Sequence, residues 1–335
     1  MTLARRAALG AGIAAVLVRS ASASERERPT PKFRVVAAGL KFPEGPFVMA
    51  DGSIGVCEIA AGRLTRVAPD GSIGLLADVG GGPNGAALGP NGTCYVCNNG
   101  GLSFNGPVSD DPLGSIQKVD LATGKVSTLY RFVDGRPLIR PNDLVFDTMG
   151  GFWFTDQGRA HARTQDYGGI YWARNDGSEI REVIFPATTC NGIAISPDGK
   201  TLYVVGMPGL RQIAAYTIVG PGQLEEETAW VEFGRQRTGR RVKPRLVASL
   251  GGDRSFDSLR VDSAGNLVVG TTILGGLTVI SPDGETIEHI QMPDPMTTNL
   301  AFGGPDMRTV YVCFSTRGEL VAMQWPRPGK RLQFQ

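Results

Sequence analysis

Histidine is nearly missing from this chain: His161 and His289 are the only two among 335 residues. That scarcity weighs against whole classes of chemistry. A serine hydrolase needs an imidazole beside its nucleophile, and the chain also has no GxSxG elbow. A quinone-dependent dehydrogenase needs a base for the alcohol proton, usually a histidine. Charge is sparse too, at 20% Asp, Glu, Lys and Arg with a net of +2. The basic stretch from Arg235 to Lys243 has no interleaved aromatics. It reads as a solvated loop, and no nucleic-acid partner is expected.

Long apolar runs are scarce as well. One covers residues 7–18, behind Arg5-Arg6 and ahead of the small-residue site Ala21-Ser22-Ala23. It is too short to span a bilayer and has the layout of an export signal, with the twin-arginine route as one option. No membrane span is expected. Residues 1–30 are assigned to signal and linker, and the mature protein to the periplasm or the exterior. Cysteines number five, an odd count. Cys57, Cys97 and Cys313 sit at similar places in strand-like runs. Cys94 and Cys97, three apart in one run, point to opposite faces and can neither pair nor share a metal. Buried free thiols are expected.

Glycine (46) and proline (22) are plentiful and spread along the chain. That distribution signals many short strands joined by tight turns. An internal repeat then points to the architecture. Residues 44–48, a turn at 51–53 and residues 54–58 form the first copy. The same pattern returns at 84–98, 142–156, 191–205, 257–271 and 298–313. Each copy has period-two alternation on both sides of a turn, the mark of a β-hairpin. A third and a fourth run follow most copies, for example 169–173 and 180–185. Six repeats of four antiparallel strands predict an all-β, six-bladed β-propeller over residues 31–335. The last copy lacks a fourth run, so residues 33–38 are expected to complete it and close the ring.

In such a ring the first strand of each blade lines the central channel. The residues opening those strands are Glu44, Asn84, Asn142, Asn191, Asp257 and Thr298. All are polar. Each asparagine alone could simply start a turn. Together with Glu44 and Asp257, they describe an oxygen-only site that suits Ca²⁺, and less strictly Mg²⁺ or Mn²⁺. Neither histidine nor cysteine is among them, which argues against structural zinc. The second strand returns to the same mouth, bringing Glu58, Asn98, Asp156 and Thr271 near it. These four are expected to orient the inner residues or to contact substrate hydroxyls, and Asn84, Asn98 and Asp156 are the candidates for substrate contact. His161 is as readily a surface residue as a functional one.

The segments Phe42-Pro43-Glu44-Gly45-Pro46, Arg140-Pro141-Asn142-Asp143, Cys190-Asn191-Gly192-Ile193 and Phe256-Asp257-Ser258 resemble the signatures of the gluconolactonase, senescence-marker-protein and luciferin-regenerating-enzyme family. The resemblance runs from about residue 35 to 325. It implies one divalent metal held by Glu44, Asn142, Asn191 and Asp257, with Zn²⁺ and Fe²⁺ joining the candidate ions. It also implies a substrate contact from Arg140. Ser258 departs from the glycine usual there, and the long segment 102–113 is expected to cover the site.

The expected activity is therefore metal-dependent opening of a lactone ring, a sugar lactone in the first instance. Asp257 would be the general base and Arg140 the oxyanion or ring-oxygen contact. A phosphotriesterase-like hydrolase on the same site and a non-catalytic metabolite-binding propeller are the alternatives. A monomer or a small homo-oligomer is expected.

Overall fold

The computed structural model describes residues 25–335 apart from 102–112, 188, 208 and 233–235. The expected export signal and nearly all of the expected covering segment lie outside the described residues. Each repeat forms one blade of four antiparallel strands around a common axis. Blade 1 runs Pro43–Val48, Ile54–Glu58, Arg63–Val67 and Ile73–Asp78 from axis to rim. The inner strands of blades 2 to 6 are Pro83–Leu88, Pro141–Phe146, Ile193–Ile195, Ser255–Val261 and Thr297–Gly303. Phe33–Ala38 pairs antiparallel with Glu319–Gln324. The expected ring closure is thus observed, and it ties the start of the domain to its last blade.

Apolar residues of the alternating strands face the neighbouring blades. One cluster packs Trp153 and Trp172 of blade 3 against Ile193, Leu202 and Val204 of blade 4. Another sets Tyr95 and Cys97 of blade 2 against Phe146, Phe152 and Phe154 of blade 3. Cys94 belongs instead to the cluster between blades 1 and 2. The two thiols therefore lie on opposite faces of one sheet, as their spacing requires. All five cysteines are buried and free. Trp153 is fully buried in this packing. Its ring is more useful between blades than at a mouth, because a propeller has no other core.

Two boundaries differ from expectation. Glu25–Arg28, assigned to the linker, runs parallel beside Ile287–Gln291 as an extra outer strand. It is held there by Arg254 on Glu25 and by Arg28 on Glu288. Much of the basic stretch is strand rather than loop, since Gln236–Val242 pairs with Glu226–Glu232. Arg241 against Glu227 and Lys243 against Glu225 supply opposite charges across this hairpin. Among the described residues, no helix is long and apolar enough to cross a membrane.

The chain after Gln324 folds back over the mouth at the C-terminal ends of the inner strands. The Lys330 amide donates to the Val261 carbonyl (2.9 Å), and Lys330 Nζ to the Ile195 carbonyl (2.9 Å). Gln335 Nε2 donates to the Phe302 carbonyl at 2.6 Å, and Phe334 stands edge-on to Phe146 with centroids 5.0 Å apart. Four blades are bridged in this way. The tail encloses an apolar chamber inside the bore, lined by Phe47, Leu88, Leu144, Ile193, Phe302 and Leu332. The channel is closed at this end and the polar residues collect at the other.

Gly329 lies directly on Phe302, where an added Cβ would come 2.0 Å from the ring's Cγ. Gly329→Ala should lift the tail at a cost of about 1–3 kcal/mol, the usual range for overpacking. Thermal melting should fall by several degrees, and a hydrophobic dye should bind the uncovered bore. An unchanged melting temperature without dye binding would show that the tail is no seal.

Candidate metal centre

The inner strands do not enter the axis as plain strands. Against the second strand, the register shifts between Glu44 and Phe47, Pro83 and Ala86, and Pro141 and Leu144. The same shift occurs between Phe256 and Leu259 and between Thr297 and Leu300. A β-bulge at this place breaks strict alternation, so two successive residues can both turn inward. The opening residues form a first tier. Gly45, Gly85, Asp143, Gly192, Ser258 and Asn299 follow them as a second.

Close approach explains the glycines of the second tier. A Cβ at Gly45 would stand 2.1 Å from the Asn84 carbonyl oxygen, and one at Gly85 2.5 Å from that of Asn142. Glu44 and Asn142 are buried, while Asn191 and Asp257 keep partial exposure. Asn84 is buried at the start of its strand. Asn299 Nδ2 donates to Glu44 Oε2 at 2.7 Å, joining blade 6 to blade 1. Arg260 Nη1 donates to Asp143 Oδ2 at 3.2 Å, joining blade 5 to blade 3. Thr298, expected on the axis, instead bonds Ser315 Oγ (2.7 Å), and the bulge gives its inward place to Asn299.

The electrostatics of this cluster are unfavourable without a cation. Burial, and then the charge of Asp257, push the Glu44 carboxyl well above the ordinary carboxylate range. Burial also raises Asp257, with Asn191 opposing the rise and Asp143 adding to it. The Oδ1 atoms of Asn142 and Asn191 are buried with no hydrogen-bond partner. Leaving such an oxygen unpaired costs about 1–3 kcal/mol each. A hard cation coordinated by two carboxylates and two amide oxygens would remove both penalties. Glu44, Asn142, Asn191 and Asp257 therefore fit a divalent metal. Among the described residues no three His, Cys, Asp or Glu side chains gather for a metal. The amides supply what a cluster of that kind would.

The ends of the second strands have a different task. Asp156 accepts the amides of Ile139 (2.7 Å), Arg140 (2.8 Å) and Gly158 (2.8 Å). Asn98 Oδ1 accepts from Gly82 and Gly100, and its Nδ2 donates to the Gly80 carbonyl and Gln117. Glu58 accepts from the Lys41 amide, Arg63 and Thr65. In blades 1 to 3 these side chains thus grip the loop that leads into the inner strand. Thr271 bonds Thr278, which meets the buried His289. Of the two roles expected of Asn98 and Asp156, orienting the site's surroundings is the one their hydrogen bonds perform, because their polar atoms are engaged within their own blades. Asp156 sets the backbone of Arg140, whose Nε is buried without a hydrogen-bond partner. Burial, and then Arg159, lower the pKa of Arg140. His161 is exposed and bonds Asp166 at 2.7 Å.

Asn299, Asp143 and Arg260 were not foreseen. The available signal was two adjacent polar residues, Asn142-Asp143 and Thr298-Asn299, opening strands that otherwise alternate. Because both site carboxylates have raised pKa values, metal-free protein should lose stability as pH rises from the ordinary carboxylate range into neutrality. Melting in chelator across that range should show the fall, and Glu44→Gln should flatten it. A flat profile for the wild type would mean that the carboxylates do not share one enclosed site.

The SMP-30/Gluconolactonase/LRE-like region matches residues 42–316. A gluconolactonase of Zymomonas mobilis is 23% identical over 307 residues, covering 85% of this chain and 76% of that protein. Lactonase drp35 of Staphylococcus saprophyticus is 27% identical over 277 residues, covering 81% and 77%. Among solved structures, the calcium-binding protein regucalcin of Agrobacterium tumefaciens superposes with a TM-score of 0.70. It is 18% identical, with 92% of this chain and 100% of that one covered. A gluconolactonase of Xanthomonas campestris gives a TM-score of 0.69 at 22% identity, covering 88% and 90%. These likenesses agree with the propeller described above, and the chain belongs to the SMP-30/gluconolactonase/LRE-like family.

Proposed function

We propose that this protein is a metal-dependent lactonase acting on sugar lactones, with Ca²⁺ as the favoured ion. The observation that supports this most directly is the pair of partnerless amide oxygens, Asn142 and Asn191 Oδ1, beside two buried carboxylates. An ion held by Glu44, Asn142, Asn191 and Asp257 would polarise the lactone carbonyl and lower the pKa of an adjacent water. The names of the relatives, gluconolactonase and lactonase, support the substrate class. So does the 6-deoxy-6-sulfogluconolactonase of Pseudomonas putida, 28% identical over 193 residues.

The chain's own residues take the remaining roles. Asp257, whose residue keeps partial exposure while its carboxyl is enclosed, accepts the proton of the attacking water on one oxygen. The water oxygen bonds to the carbonyl carbon, the ring C–O bond breaks, and the released alkoxide takes the proton held by Asp257 to give a hydroxy acid. Arg140 donates to the carbonyl or ring oxygen, its entry loop held in register by Asp156. Asn84 faces the same tier and offers an amide to sugar hydroxyls. The C-terminal tail covers the far end of the bore, so substrate and water are expected to enter from the polar mouth.

Chelator-stripped protein, assayed on a lactone panel with Ca²⁺, Mn²⁺, Mg²⁺, Zn²⁺ or Fe²⁺ restored, tests the reading through acid release. Restored turnover is expected. Tight metal binding with neither lactone nor phosphotriester hydrolysis would overturn it in favour of a binding propeller. Asp257→Asn should lower kcat by at least about 100-fold, the scale of lost general-base catalysis. Arg140→Gln should cost about 100-fold in kcat/KM with the metal still bound. Full activity in Asp257→Asn would remove it from the mechanism.

A further inference from the structure

One buried ion pair is left over by the mechanism. Arg260 lies on the inner strand of blade 5 and is 7% exposed, while Asp143 on blade 3 is completely buried. Their 3.2 Å contact reaches past the inner strand of blade 4, Ile193–Ile195, to join blades that are not neighbours. The second-tier residue of blade 4 is Gly192, which has no side chain and packs on the blade 5 backbone. A Cβ at Gly192 would fall 2.6 Å from Ser258 Cα. Arg260 also lines the apolar chamber below. It therefore separates two environments, with the oxygen-rich tier above and the sealed apolar bore beneath.

A buried pair of this kind is seldom retained for stability, because desolvating both charges offsets much of their attraction. Its place suggests another use. Asp143 immediately follows the proposed ligand Asn142, and Asp143 Oδ1 accepts the Leu144 amide at 2.9 Å, which anchors it in the bulge. With a cation bound and all three ionised, Glu44, Asp257 and Asp143 would carry three negative charges at this end of the bore, and Arg260 cancels one. The remaining charge of minus two is what a divalent ion neutralises.

We propose that Asp143 and Arg260 form the floor of the cation site, a positioning pair that spans the bore and fixes the site's net charge at the value matching a divalent ion. This inference rests on the metal-site reading above, but not on lactone turnover. Removing Arg260 leaves an extra negative charge that favours a trivalent ion. Removing Asp143 leaves an extra positive charge that weakens both ions, the trivalent one more. Removing both restores the balance.

The test is calorimetric titration of chelator-stripped wild type, Arg260→Met, Asp143→Asn and the double variant with Ca²⁺ and with Tb³⁺ at mildly alkaline pH. Arg260→Met should shift the Tb³⁺-to-Ca²⁺ affinity ratio upward by about tenfold or more, the scale of one nearby charge in a partly shielded site. Asp143→Asn should shift it downward. The double variant should return close to the wild-type ratio, and Arg260→Lys should hold it. Equal losses for both ions in either single variant, or a double variant that simply sums them, would make the pair a structural brace and overturn the proposal. If Arg260→Met does not fold, Asp143→Asn and Arg260→Lys still decide the matter. Wild-type protein binding neither ion would overturn this inference together with the metal site. Failure on every lactone with the ratios behaving as stated would overturn only the proposed reaction.

Discussion

Six strands can meet around one narrow axis only where some of them present no side chain. Gly45, Gly85 and Gly192 meet that requirement: each lies where a Cβ would strike the next blade's backbone. The polar residues beside them follow from the same crowding. Once the strands are that close, the residues that open them have nowhere to point except at one another. Two carboxylates and several amides are thereby confined where water cannot fully solvate them. The raised carboxylate pKa values and the unpaired asparagine oxygens are consequences of ring closure, and a bound cation would relieve both.

The rest of the molecule keeps that confinement in place. Apolar clusters between successive blades hold the sheets at fixed angles, with Trp153 and Trp172 filling the largest volumes. Phe33–Ala38 closes the circle through blade 6. The side chains ending the second strands, Glu58, Asn98 and Asp156, tie down the loop entering each of the first three inner strands. The C-terminal tail shuts the far mouth. A chain with few charges and almost no histidine thus concentrates its reactive polarity at one end of one channel.

That arrangement also divides labour among polar residues that look alike in the sequence. Asp257 and Asp156 are both aspartates at strand ends near one mouth. Asp156 is surrounded by three backbone amides, so its charge is used to shape a loop. Asp257 faces Glu44 and Asn191 and keeps partial exposure, and burial beside other acidic groups disfavours its charge. Asn98 and Asn142 differ in the same way: the first has its oxygen and its amide engaged by neighbours, and the second holds an oxygen in reserve.

The sequence by itself determined the repeat, the blade count, the closing strand and the tier of opening residues, because alternation and turn chemistry are local and recur at a fixed period. It also determined the opposite placement of Cys94 and Cys97, which period two dictates within a single strand. What it could not determine depended on departures from that period. The bulges that bring Asp143 and Asn299 inward, and move Thr298 aside, come from how neighbouring inner strands crowd one another. The Arg260–Asp143 contact joins residues 117 positions apart across the bore, and the tail reaches carbonyls on strands far from it in sequence. Only the closed ring brings those groups together, since no local pattern encodes the distance across an axis that the whole chain must first build.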